Sequence, residues 1–210
     1  MVKRKLKPIR YVANTGQKIA LTFDDGPHPQ YTKQILERLK NYKAKATFFI
    51  VGAKAVNHPS LVRAILEEGH EVGNHSYTHR RLTKLSEATV RQEISMTDLI
   101  LHSLGAEKHP PFRAPYGEDS SLLSKVLAET GRRNILFNCE SMPPDFKSPS
   151  SLAISCSIAK KAKPGSIIVL HDGIESETEE RKTTVEATEQ LLEFFQRNEY
   201  YVGTVGDFAR

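Results

Sequence analysis

Short apolar, β-prone runs alternate with amphipathic stretches along almost the whole chain. The apolar runs are residues 18–23 (KIALTF), 46–51 (ATFFIV), 71–73 (EVG), 133–138 (RNILFN), 166–170 (SIIVL) and 200–202 (YYV), with a weaker one around Phe112. Between them, residues 29–42, 59–68, 87–104, 120–130, 148–160 and 182–197 repeat apolar side chains at the spacing of a helix with one buried face. Local signals agree with several of these bounds. Ser86 stands ahead of the third helical stretch with Glu87 behind it, and Gly69, Gly105 and Gly131 each follow one, where a left-handed cap ends a helix.

Strand–helix alternation repeated six or seven times predicts parallel strands joined by helical crossovers. An open doubly wound sheet satisfies that pattern. A (β/α) barrel suits it better, because the polar clusters fall just after strand ends, where barrels collect their chemistry. The expected fold is therefore α/β, a single-domain distorted (β/α) barrel of about seven parallel strands over residues 18–210. Residues 1–17 are expected to form an N-terminal extension.

Composition narrows the function classes. The chain has 210 residues, 39% of them hydrophobic and 26% charged. No run approaches the ~20 apolar residues of a membrane span, so none is expected. The charged start, MVKRKLKPIR, resembles the head of a secretory signal, yet the apolar stretch that should follow is replaced by YVANTGQK. The net charge is +5, but Lys and Arg are scattered apart from the first ten residues and Lys160-Lys161-Ala162-Lys163. Without interleaved aromatics, no nucleic-acid partner is expected. Cys139 and Cys156 fit neither a disulfide framework nor a metal-ligand spacing.

Four clusters carry the chemistry. The first strand runs into Thr22-Phe23-Asp24-Asp25-Gly26-Pro27. Successive side chains of a strand point in opposite directions, so these adjacent carboxylates cannot both face the core. Asp-Asp-Gly-Pro alone is also ordinary turn chemistry. The third strand ends in Asn74-His75-Ser76-Tyr77-Thr78-His79. Two histidines four apart can reach one divalent ion, and with an aspartate from another strand end they make a three-protein-ligand site with open positions. Arg113, in Pro111-Phe112-Arg113-Ala114-Pro115-Tyr116, is placed to pair with a carboxylate. His171 closes the run Ile167–Leu170 ahead of Asp172, and its ordinary pKa near 6.5 suits a general acid.

In this order and on this scaffold, TFDDGP, HSYTH, RAPY and LHD resemble the motif set of the polysaccharide deacetylases, the NodB-like domains of carbohydrate esterase family 4. The motifs extend from Thr22 to Asp172. The resemblance implies Asp24 as the base that activates the attacking water, Asp25, His75 and His79 as metal ligands, and Arg113 as the partner that keeps Asp24 ionised. It implies the Tyr116 N–H as an oxyanion donor, His171 as the acid that protonates the departing amine, and Leu170 as the lining of an acetyl-methyl pocket. The implied metal is Zn²⁺, with Co²⁺ as the other candidate, and the implied partner is an N-acetylated amino-sugar glycan such as a chitin oligomer or peptidoglycan.

One family motif is altered. Family members show an Asp shortly followed by Asp-Trp, whose second Asp orients the catalytic His. Here Glu140 stands upstream, and Asp145 and Phe146 follow at a longer spacing. Phe146 keeps an apolar wall but lacks the indole donor. Two other readings compete: an O-acetyl esterase on xylan, since the same site can attack an ester, and a silent glycan-binding domain. The presence of all five of Asp24, Asp25, His75, His79 and His171 argues against the silent domain.

Overall fold

In the computed structural model, which describes residues 7–12, 16–174 and 180–208, the first strand sets the architecture. Strand β1 (Lys18–Gly26) is buried at every position after Lys18, as expected of a central strand covered on both faces. It is followed by α1 (Tyr31–Asn41), β2 (Thr47–Ile50), α2 (Gly52–Asn57), α3 (Pro59–Glu67), β3 (Glu71–Asn74), α4 (Glu87–Ser103), α5 (Ser121–Ala128), α6 (Ser151–Lys161), β4 (Ile167–His171), α7 (Lys182–Arg197) and β5 (Tyr201–Gly203). All strand pairs are parallel, in the order β3-β2-β1-β4, with β5 on the first residues of β1. The α/β class and the parallel sheet are as the alternation predicts.

Five of the seven expected strands form ladders. The other two are reduced to isolated bridges: Phe112 pairs with Asn74 and with Asn134, and Cys139 pairs with Ile168 on β4. These bridges continue the sheet beyond β3 and meet it again at β4, so the ladders form an open sheet with isolated bridges across the gap where a barrel would close. Proline explains the thin stave at Phe112. Pro110, Pro111 and Pro115 have no N–H to give a ladder, so Asn74 N–H bonds to the Pro111 carbonyl (2.7 Å) and Arg113 N–H returns to the Asn74 carbonyl (3.0 Å).

The helices follow their expected stretches to within three residues at either end, and α2 is additional. Six residues are too few to show a 3.6-residue period. The Ser86 side chain accepts the Thr89 N–H at the start of α4, and Gly69, Gly105 and Gly131 all have positive φ. The main core lies between β1, β2, β4 and the helices, with Phe23, Phe48, Ile35 and Phe195 fully buried. Of residues 7–12, Ile9 bridges Ile135 and Val12 is buried with Ala20 and Ile167. Among the described residues no helix is long and apolar enough to cross a membrane.

Candidate active site

The C-terminal ends of β1, β3 and β4 meet at one mouth, where a cavity of about 470 Å³ opens. The alternation rule alone would send Asp24 and Asp25 to opposite sides. A bulge resolves this. Asp24 pairs with Phe49 and Gly26 with Ile50, so Asp25 is the extra residue, with φ of 72°. Both carboxylates then approach the same imidazole, Asp25 Oδ1 at 3.3 Å and Asp24 Oδ2 at 3.9 Å from His75 Nε2.

Asp25, His75 and His79 form a group that could hold a metal ion, with one donor atom from each lying within 4.8 Å of the others. Asp25 Oδ1 is 3.0 Å from His79 Nε2. The Arg113 carbonyl, which can only accept, sits 2.8 Å from His75 Nδ1, so that nitrogen carries a proton and Nε2 is the ring nitrogen that faces the carboxylates. Two imidazoles and a carboxylate, one imidazole oriented by a carbonyl, suit a zinc-like ion. Burial opposes charge on Asp25, but the two histidines outweigh it and hold its pKa well below the usual carboxylate range.

Arg113 is fully buried beneath Asp24. One nitrogen, Nη1, donates to Asp24 Oδ1 (2.6 Å) and to Thr22 Oγ1 (2.7 Å), Nε donates to the Ile135 carbonyl (2.9 Å), and the guanidinium lies 4.1 Å over the Phe49 ring. On the other side, Asp24 is in register with His171 across the β1–β4 ladder. Asp145 accepts the His171 backbone N–H through Oδ2 and faces Nδ1 through Oδ1, each at 2.8 Å. Burial works against the imidazolium, but Asp145, and behind it Asp25 and Asp24, raise the His171 pKa to about 9. The Phe146 ring stands edge-on to His171 at 5.1 Å.

The sequence-derived residues thus converge with one exception. Asp24, Asp25, His75, His79, Tyr116, Phe146 and His171 all line the cavity, and Arg113 and Asp145 support them from behind. Glu140 also lines it, whereas the acid on His171 is Asp145. Leu170 is buried in the main core beside Phe23 and is not among the lining residues. Several supporting residues went unread in the sequence. Thr184 donates to Asp145 Oδ2 (3.0 Å), and Lys54 Nζ donates to the carbonyls of Asp25 (2.6 Å) and Ile174 (2.7 Å). Asp172, directly after His171, accepts from Thr32 Oγ1 (2.5 Å), and burial raises its pKa to about 7. Thr184 and Lys54 sit in no spacing that marks chemistry, and Asp172 closes the LHD motif, which by itself assigns it no role.

A parallel α/β sheet that gathers carboxylates, imidazoles and a buried arginine at its C-terminal mouth has the layout of an enzyme active site. The polysaccharide deacetylase family model matches residues 12–135. The chain is 33% identical over 214 residues to a peptidoglycan-N-acetylglucosamine deacetylase of Bacillus cereus, covering 100% of this chain and 98% of the relative. It is 36% identical over 165 residues to a chitooligosaccharide deacetylase of Azorhizobium caulinodans, 77% of each. Among solved structures, a peptidoglycan N-acetylglucosamine deacetylase in complex with 4-naphthalen-1-yl-N-oxidanyl-benzamide superposes with a TM-score of 0.88 at 29% identity, covering 95% of this chain and 91% of that one. The chain belongs to the polysaccharide deacetylase family. It is an enzyme, a hydrolase of non-peptide carbon–nitrogen bonds.

Proposed function

We propose that this enzyme removes acetyl groups from N-acetylglucosamine residues of a glycan, with peptidoglycan first and chitin oligomers second. The observation that carries the reading is that one cavity joins three elements: the Asp25/His75/His79 donor set, the Asp24–Arg113 pair and the Asp145–His171 pair. Peptidoglycan is put first because the B. cereus relative aligned over the whole chain is named for it.

An amide is a weak electrophile with a poor leaving group, so hydrolysis needs activated water, a polarised carbonyl and a proton for the amine. Asp25, His75 and His79 would hold a divalent ion, zinc first and cobalt second, which supplies Lewis acidity at the acetyl carbonyl and lowers the pKa of water. Asp24 takes the proton from the attacking water, and Arg113, itself held by the Thr22 hydroxyl, fixes its orientation. The Tyr116 N–H donates to the developing oxyanion. Such a donor contributes about 3–4 kcal/mol when held in place. His171, its Nδ1–H held by Asp145, gives the Nε2 proton to the departing amine. Phe146 and Tyr116 wall the sugar.

Acetate release from peptidoglycan, N-acetylglucosamine oligomers and acetylated xylan, at matched acetyl concentration, tests the reading. Faster release from the two amide substrates is expected. Release from xylan alone would replace it with an O-acetyl esterase.

A further inference from the structure

The segment between the two metal-set histidines has no helix or strand of its own, and its backbone is bent in an unusual way. Ser76 (φ 64°) and His79 (φ 56°) are both left-handed without being glycine, a conformation that persists only where the surroundings impose it. Some of that restraint is local. Asn74 Oδ1 accepts the Ser76 N–H (2.8 Å), Ser76 Oγ accepts the His79 N–H (3.2 Å), and α2 donates the Gly52 and Ala53 N–H groups to the carbonyls of Ser76 and Tyr77 (2.9 and 3.0 Å).

The two remaining N–H groups, those of Tyr77 and Thr78, are taken by one residue of a different element. Glu93, buried on α4, accepts both through Oε2, at 2.9 and 2.8 Å, and accepts the Thr78 hydroxyl through Oε1 at 2.6 Å. A buried carboxylate is costly unless donors surround it, and here three donors of the Tyr77–Thr78 dipeptide do so. One turn further along α4, Asp98 accepts Asn74 Nδ2 (2.7 Å) and is itself gripped by both terminal nitrogens of Arg132 (2.9 and 2.7 Å). The α4 helix therefore holds the segment at its middle and at its root.

We propose that Glu93 is a positioning residue for the metal set: by fixing the Tyr77–Thr78 backbone it sets the distance and angle between the His75 and His79 imidazoles. This rests on the metal reading above. The arrangement implies a division of labour. Glu93 touches neither ion nor substrate, and its contribution is geometric, so a neutral side chain of the same shape should suffice. In Glu93→Gln the amide oxygen can still accept both N–H groups, and its NH₂ can donate to the Thr78 hydroxyl oxygen.

The test compares wild type, Glu93→Ala and Glu93→Gln by two readouts: hydrogen exchange of the Tyr77 and Thr78 amides in metal-stripped protein, and Co²⁺ titration followed by cobalt absorption. Loss of an outer-shell partner costs about 10–100-fold in metal affinity. Glu93→Ala should show that loss, a changed cobalt spectrum and faster exchange confined to the loop, while Glu93→Gln stays near wild type. If Glu93→Ala does not fold, Glu93→Asp, whose arm is one methylene shorter, should show weakened cobalt binding in the same direction. Wild-type exchange and cobalt affinity in the Ala or Asp variant would overturn the proposal, as would a Gln variant as impaired as Ala. Wild type that binds no cobalt overturns the metal reading and the proposal's link to it. Normal cobalt binding by wild type and all variants overturns the proposal alone.

Discussion

Both oxygens of Asp145 are engaged by His171: Oδ2 accepts its backbone N–H and Oδ1 faces Nδ1, each at 2.8 Å. One carboxylate thereby fixes the position, the ring orientation and the tautomer of the proposed acid. Asp145→Asn should keep the fold and the metal set but present the wrong hydrogen-bonding group to Nδ1. General acid catalysis is worth about 10²–10⁴-fold, and a loss in kcat of about 10²-fold or more is expected. Unchanged turnover with an unshifted pH profile would show that Asp145 does not serve His171.

The same pair sets a pH dependence. The folded pKa of His171, about 9, lies above the ordinary value near 6.5. The group therefore stabilises the metal-free fold fully below pH 6.5, and that stabilisation is lost as pH rises through 9. An NMR titration of the metal-free protein should find the imidazole near 9. A divalent ion in the donor set offsets the charge of Asp25, so the loaded enzyme should titrate lower. Its kcat should fall on the alkaline side at that lower value, as the acid loses its proton.

Arg113, fully buried, and Asp24, at the cavity wall, form an ion pair at 2.6 Å. Breaking such a pair from one side leaves an uncompensated charge and costs about 3–5 kcal/mol. Arg113→Ala should lose that much in urea denaturation, and Asp24→Asn, which keeps an acceptor but leaves the buried Arg113 charge uncompensated, should also lose stability while abolishing turnover. Wild-type stability in both variants would argue that the pair does not bear on folding.

Gly173 is held against the Asp25 turn. A Cβ there would lie 1.8 Å from the Asp25 carbonyl oxygen, with no side chain to swing away. Gly173→Ala should push the metal-set aspartate out of place, at a cost in the range of overpacked cores, about 1–3 kcal/mol or more. Thermal denaturation and cobalt titration should both show it. A variant with normal cobalt affinity would mean that the turn yields without moving Asp25.

The sequence pattern makes most of this site legible, and the misses have physical causes. The donor set is readable because its residues sit in short, ordered clusters at strand ends. The bulge that turns Asp25 into the mouth is not readable, since it depends on the register between β1 and β2. The strand at Phe112 reads as weak because prolines flank it, and in the structure it is one residue bridged to Asn74 and to Asn134. Glu93 is the instructive case. Helices carry glutamate mostly on their wet face, but Glu93 and Asp98 share the buried face of α4 with Val90, Ile94, Thr97 and Leu101. A carboxylate at the helical spacing of Val90, Ile94 and Leu101 is the available signal, and it lies outside every motif.

The most direct test of the account is acetate release from peptidoglycan by metal-stripped protein, with and without added Zn²⁺ or Co²⁺, alongside Asp24→Asn. The account predicts no release without metal, release restored at one ion per chain, and none from the variant even when loaded. Full activity in the metal-free protein, or an active Asp24→Asn variant, would contradict it.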